Sequence, residues 1–229
     1  MEQIKTIKAE EGEIFDIELE EDLLKKNEEL AQGNKRLLDK HKILAIDVMG
    51  SIGSGKTSLI KNLASQLKEN YRIGAIAGDL TTTIDADRIK DEGVEVIQVN
   101  TGKECHLDAN LIGKALKKFD LKALDILFIE NVGNLICPAD FPLGSHKRIV
   151  VISVTEGPWM VIKHPYIFLE ADLVAINKID LTKAMGVSPQ KLTEDIYKIN
   201  PTVKVVQTNC IKGEGIGEIV EGIRIKEYA

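Results

Sequence analysis

Seven short apolar runs separated by amphipathic stretches restrict what this chain of 229 residues can fold into. The runs are KILAIDVM (42–49), RIGAIAGD (72–79), VEVIQVN (94–100), DILFIEN (125–131), RIVVISV (148–154), DLVAINK (172–178) and KVVQTN (204–209). A strand with one wet face alternates apolar and polar residues, whereas a strand apolar throughout is covered on both faces. Helix-like segments such as SLIKNLASQLKEN and LDANLIGKALKKF lie between the runs. The pattern predicts an α/β fold, a mostly parallel sheet with helices on both faces. Hydrophobic residues at 44% are ample for its core.

Ahead of the first run, EEGEIFDIELEED (10–22) is an acidic stretch of the kind that forms a solvated surface. A helical pattern then runs to His41, with Leu23, Leu30 and Leu37 seven apart and Asn27 and Asn34 polar between them. Those asparagines and the short length argue against a free coiled coil and predict a helix packed on the following domain. The expected organisation is an acidic segment and helix over 1–40 and one α/β domain over 41–229.

The net charge of -6 argues against nucleic acid as a partner, because phosphate backbones need a basic footprint. No apolar run approaches the roughly 20 residues of a membrane span. MEQIKTIKAEEGE has no apolar core of a secretory signal. Three widely spaced cysteines do not make a disulfide framework, so a reducing cytoplasm is expected.

The first apolar run leads directly into Gly50-Ser51-Ile52-Gly53-Ser54-Gly55-Lys56-Thr57, with Ser58 opening the next amphipathic stretch. This is a complete G-x-x-x-x-G-K-[ST], with a strand before it and a helix after it. Its glycines let backbone N–H groups wrap phosphates at a helix N-terminus. Lys56 would neutralise the β- and γ-phosphates, and the Thr57 hydroxyl would bind Mg²⁺. Asn177-Lys178-Ile179-Asp180 closes the sixth run. It is similar to the N-K-x-D guanine motif, whose carboxylate accepts from guanine N1 and N2, donors that adenine lacks. Asn209 and Cys210, before KGEGI, occupy the place of a last base-contacting loop, with Cys210 read as loop structure.

Glu130-Asn131-Val132-Gly133 stands where many GTPases carry D-x-x-G, so Glu130 would hold Mg²⁺ and the Gly133 amide would sense the γ-phosphate. Asn134 follows, so no glutamine is there to position water. Asp79 and Asp85, after the second run, are each able to orient that water or complete the magnesium shell. Helix capping in IDADRIK is the structural alternative for Asp85.

These motifs, with NTGKECHLDA and ENVGNLICPADFPLG, closely resemble the HypB family of hydrogenase nickel-incorporation GTPases, from about Asn34 to the C-terminus. The resemblance implies a SIMIBI-class P-loop GTPase that binds GTP/GDP with Mg²⁺ and forms a GTP-favoured homodimer. It also implies partnership with HypA and the hydrogenase large-subunit precursor. Cys105, His106 and Cys137 match the family's metal ligands, while the N-terminal Cys-rich motif or histidine tract of bacterial relatives has no counterpart. Lys147 and Lys163 are candidates for a lysine that reaches the partner's nucleotide.

Taken singly, Cys105 reads as buried structure and His106 as a polar surface residue or a helix-start residue. However, loops after parallel strands collect at one edge, so the 100–106 and 131–147 loops can meet there. Three donors are one short of a closed tetrahedral site, which a dimer or water would complete. Thiolate and imidazole suit Ni²⁺ and Zn²⁺ alike. The alternatives are a non-catalytic nickel carrier clamped by GTP and a urease-type accessory GTPase. The second is disfavoured because its Cys-Pro-His signature is Cys137-Pro138-Ala139 here.

Overall fold

A computed structural model describes residues 17–228. Residues 10–16 of the acidic run lie outside them. Every apolar run becomes a strand: β1 (Leu44–Met49), β2 (Ile73–Asp79), β3 (Glu95–Asn100), β4 (Ile126–Glu130), β5 (Lys147–Ser153), β6 (Leu173–Asn177) and β7 (Lys204–Gln207). They form one sheet in the order β3-β2-β4-β1-β5-β6-β7, and every pairing is parallel.

The helices are α1 (Ile17–His41), α2 (Lys56–Leu67), α3 (Ile84–Lys90), α4 (Ala109–Leu116) and α5 (Cys137–Asp140). There follow α6 (Met160–Lys163), α7 (Tyr166–Leu169), α8 (Thr182–Met185), α9 (Pro189–Ile199) and α10 (Ile216–Ile223). Because side chains alternate across a strand, β1 feeds both faces. Leu44, Ile46 and Val48 pack with Leu59 and Leu63 of α2 and Ile219 of α10. Ala45 packs with Ile112 and Leu116 of α4, and Met49 with Phe168 of α7 and Ile196 of α9.

The α1 helix lies against α4, but the leucine repeat does not supply its packed face. Leu23 and Leu30 are exposed, while Asn27, Ala31, Asn34 and Leu38 are buried. Those four positions follow helical spacing, and the two asparagines are tolerated inside because their amides are hydrogen-bonded. Among the described residues no helix is long and apolar enough to cross a membrane.

The strand order reverses about β1, which lies between β4 and β5. Loops at the carboxyl ends of the strands gather at this switch point, where open α/β sheets bind ligands.

Candidate functional site

The phosphate loop leaves β1 at Gly50, whose φ of 147° and position 2.1 Å (for an added Cβ) from the Val151 carbonyl oxygen exclude a side chain. Gly55, at φ 110°, is equally confined, since a Cβ there would lie 2.1 Å from Asn177 Nδ2. Lys56 folds back over the loop and donates to the carbonyls of Gly50 (3.2 Å) and Ser51 (3.1 Å). Burial pulls its pKa down against the attraction of Glu130 and Asp85.

The Thr57 hydroxyl lies 2.7 Å from Glu130 Oε1 and 2.9 Å from Asp85 Oδ1. One hydroxyl has one hydrogen and cannot donate to two carboxylates at once. Burial pushes the Glu130 carboxyl up to about 7, and its buried Oε2 has no partner. Three oxygens converging with a shortage of donors is an arrangement that a divalent cation such as Mg²⁺ fits. Asp85 is in the first turn of α3, whose capping position is Thr83, so its carboxylate is not spent on the cap and meets Thr57 and Arg88.

A cavity of about 470 Å³ opens over this cluster. Ile52, Gly53 and Gly55 through Ser58 line it, as do Asp79, Asp85, Glu130 and Gly133. Its far end is formed by Asn177, Lys178, Asp180, Asn209 and Cys210. Gly50, Ser51 and Ser54 do not line it: Ser54 is fully buried, and the Ser51 hydroxyl donates to Glu156. Asp79 Oδ1 accepts from the N–H groups of Thr81 (2.9 Å) and Thr82 (3.0 Å). Burial raises its pKa, but those N–H groups outweigh this and leave it lowered.

Asn177 spends its amide on the scaffold. It donates to the Ser54 carbonyl (2.9 Å) and accepts from the Thr208 hydroxyl and the Cys210 N–H (both 3.2 Å). Lys178 takes a left-handed conformation (φ 59°), which turns the chain so that the exposed Asp180 borders the cavity. Burial pushes the Cys210 thiol up to about 11, in keeping with a loop role rather than ligation.

Cys105, His106 and Cys137 converge, with one donor atom from each lying within 4.8 Å of the others. Cys105 Sγ is 3.0 Å from Cys137 Sγ and 3.9 Å from His106 Nδ1. Cys105 is exposed and Cys137 half-buried. The adjacent Cys105 thiol, then burial, raise the Cys137 pKa. The His106 ring stacks on Phe141 at 3.8 Å, and burial lowers its pKa, favouring the neutral imidazole that ligates metals. Two thiols and one imidazole fit a borderline-soft ion such as Ni²⁺ or Zn²⁺.

Residues between the two clusters join them. Asn134 N–H donates to the Gly50 carbonyl (3.1 Å), and its side chain donates to the Cys105 carbonyl (3.3 Å). Asn131 Oδ1 accepts from Leu107 N–H (3.1 Å) and Val132 N–H (3.0 Å).

The chain matches the family model described as "CobW/HypB/UreG, nucleotide-binding domain" over residues 44–207. A protein of Methanocaldococcus jannaschii named "Probable hydrogenase maturation factor HypB" is 52% identical over 207 residues, 90% of this chain and 94% of that one. The chain belongs to the HypB family. A crystal structure of hydrogenase maturation factor HypB from Archaeoglobus fulgidus superimposes with a TM-score of 0.82 at 42% identity, covering 89% of this chain and 99% of that one. HypB from Helicobacter pylori, solved in complex with nickel, gives a TM-score of 0.82 at 34% identity over 89% and 97% of the two chains.

Several cavity and loop residues escape a motif reading of a HypB-type chain. Arg88 lines the cavity and reaches Asp85 Oδ1 (3.2 Å). Its spacing of three from Asp85 on a helix is the signal that could have found it. Glu156, raised by burial, meets Ser51 across 105 residues, which no local pattern reveals. Lys147 starts β5 at the sheet end away from the cavity and pairs with Asp172 (3.0 Å), whereas Lys163 closes α6 and is exposed.

Proposed function

We propose that this chain is a metal-binding GTPase that hydrolyses GTP to GDP and phosphate and assists nickel insertion into [NiFe]-hydrogenase during its maturation. The observation that carries this reading is the shared segment from Glu130 to Cys137. One end lines the nucleotide cavity and the other places a thiol in the Cys/His cluster.

The phosphates of GTP lie along the N–H groups of the loop from Gly50 to Thr57, where the α2 dipole favours anions. Lys56 releases the loop carbonyls and turns to the β- and γ-phosphates. Thr57, Glu130 and Asp85 would hold Mg²⁺, which would supply positive charge to the phosphate oxygens. Asp79, held ionised by two backbone N–H groups, accepts a hydrogen bond from the attacking water and aligns it with the γ-phosphorus. As the water oxygen bonds to the γ-phosphorus, the bond from that phosphorus to the bridging oxygen breaks, leaving GDP and inorganic phosphate, with the water's proton released to a phosphate oxygen or to solvent. Asp180 accepts from guanine, and Asn177 keeps that loop registered on the phosphate loop. Turnover without a partner is on the order of 10⁻⁴–10⁻² s⁻¹, as for intrinsic GTPases.

Cys105, His106 and Cys137 carry the nickel as cargo. Three donors leave the shell incomplete, which a GTP-favoured homodimer closes across its axis. Trp159, Ile162 and Tyr166 form exposed apolar surface suited to such an interface. HypA and the hydrogenase large-subunit precursor are the proposed partners, in the cytoplasm.

The test is a Ni²⁺ titration of the protein with GDP and with a non-hydrolysable GTP analogue, alongside phosphate release from GTP. Coupling between the sites should shift Ni²⁺ affinity by roughly 5–150-fold, with GTP affinity shifted equally by Ni²⁺. The shift should vanish in Cys137→Ala. Identical isotherms would reduce the protein to a GTPase that merely carries metal. Absence of phosphate release would make it a GTP-clamped carrier.

A further inference from the structure

The two buried asparagines of α1 are unexplained by anything in the nucleotide cavity. Asn27 Oδ1 accepts from Ala109 N–H (2.8 Å), and its Nδ2 donates to the Pro142 carbonyl (2.9 Å). Asn34 Nδ2 donates to the carbonyls of Ala109 (2.7 Å) and Leu143 (3.1 Å). A buried amide exchanges its hydration for protein partners at little net gain, so four such bonds from one helix face have a geometric rather than energetic consequence. Their partners fall on two segments only. Ala109 stands three residues beyond His106, where the loop that carries Cys105 and His106 enters α4. Pro142 and Leu143 follow Phe141, whose ring stacks on His106, on the segment that begins at Cys137.

We propose that α1 is part of the metal centre: Asn27 and Asn34 are positioning residues that clamp the two ligand-bearing loops together, so that Cys105, His106 and Cys137 converge before metal arrives. The fit is close on both segments, α4 and the stretch after Phe141. A Cβ on Gly144 would lie 2.3 Å from the Ala31 carbonyl oxygen, and one on Gly113 would lie 3.0 Å from Asn34 Oδ1. Ala109 is the first residue of α4, and its N–H has no partner within that helix. Asn27 supplies that partner from another element and so fixes where α4 begins relative to His106. The inference rests on Cys105, His106 and Cys137 being the metal ligands.

The test compares the full chain with Asn27→Leu and Asn34→Leu, which keep side-chain bulk and remove the amides. Ni²⁺ is titrated into metal-free, reduced protein and followed by the thiolate-to-nickel charge-transfer absorption, with GTP affinity measured separately. Residues that orient metal ligands are worth about 10–100-fold in metal affinity. A loss of about 10-fold or more is expected in each variant, with GTP affinity in metal-free protein nearly unchanged. Asn27→Asp retains the acceptor for Ala109 N–H but loses the donor to Pro142, and it should weaken Ni²⁺ binding by less than Asn27→Leu. It is also the deciding variant if the leucine forms do not fold. Ile219→Ala, in the core under α10, should lower stability without moving the Ni²⁺ isotherm.

Folded asparagine variants with wild-type Ni²⁺ affinity, alongside a weakened Cys105→Ala, would overturn the clamp and leave the metal reading intact. Equal weakening in Ile219→Ala would also overturn it, by tracing the effect to general stability. Wild-type affinity in Cys105→Ala would overturn the metal reading and the clamp with it.

Discussion

The nucleotide cavity and the thiol cluster stand at opposite ends of the segment from Glu130 to Cys137, and they are built on different plans. At the Glu130 end the polar groups are buried and mostly bonded to one another. Lys56 caps the loop carbonyls, Thr57 bridges two carboxylates, and Asn177 ties the phosphate loop to the base loop. At the Cys137 end the donors are exposed or half-exposed, and neighbouring backbone and amides hold them in place. A buried, preorganised site holds its ligand in one geometry at little ordering cost. An open three-donor cluster leaves room for a fourth ligand and for exchange. The difference suits a molecule that grips its nucleotide and hands over its metal.

The largest effect should come from breaking the buried end alone. Lys56→Ala removes the cation proposed to face the phosphates and should abolish GTP binding, as read by titration with a fluorescent GTP analogue. Ni²⁺ binding to the same nucleotide-free variant should match wild type. A displaced Ni²⁺ isotherm would mean that the two plans are not separate.

Base selectivity is the next largest. Asp180→Asn replaces a carboxylate that accepts twice with an amide that accepts and donates, so GTP affinity should fall on the order of 10²-fold or more. Xanthosine triphosphate should gain, because its altered edge pairs with the amide. Competition between the two nucleotides measures the exchange. An unchanged GTP affinity would remove Asp180 from the base-reading role.

The same contrast explains how much of the molecule could be read in the sequence. The buried end is written in contiguous letters. Apolar runs mark all seven strands, and Gly50 to Thr57 and Asn177 to Asp180 sit at strand ends where backbone geometry demands those residues. The sequence named Cys105, His106 and Cys137 by resemblance, and the fold places their donor atoms together. What holds them was not legible. Asn27, Asn34, Asn131 and Asn134 act over 24 to 115 positions where they are not local, and an asparagine's letter carries no signal of its partner. The leucine repeat in α1 was the louder pattern, yet it faces outward at Leu23 and Leu30 because the partner loops offer carbonyls, not a greasy groove.

The smallest effect lies beneath both plans, at Asp47. It is fully buried in β1, where Asn131 Nδ2 donates to its Oδ1 (3.3 Å) and Oδ2 has no partner. Burial raises its carboxyl from 3.8 to about 6, with Arg148 and Asn131 opposing. Between those values the folded protein binds the proton that the unfolded chain has released, so stability falls as pH rises through this window and is lost above about 6. The linked change is about 3 kcal/mol. Asp47→Asn has no proton to lose and should not show this fall, so its stability relative to wild type should climb from pH 4 to 6.5 and then level, to the extent of that roughly 3 kcal/mol. An extra amide donor beside Oδ2's empty position costs about 1–3 kcal/mol, but equally at every pH. Only the slope is therefore diagnostic, and urea unfolding of both proteins across this range supplies it. Parallel profiles would show Asp47 ionised throughout and held by Arg148. The Asn131 amide, which shares Leu107 and Val132 between the two sites, would then rest on a charge rather than on a neutral acid.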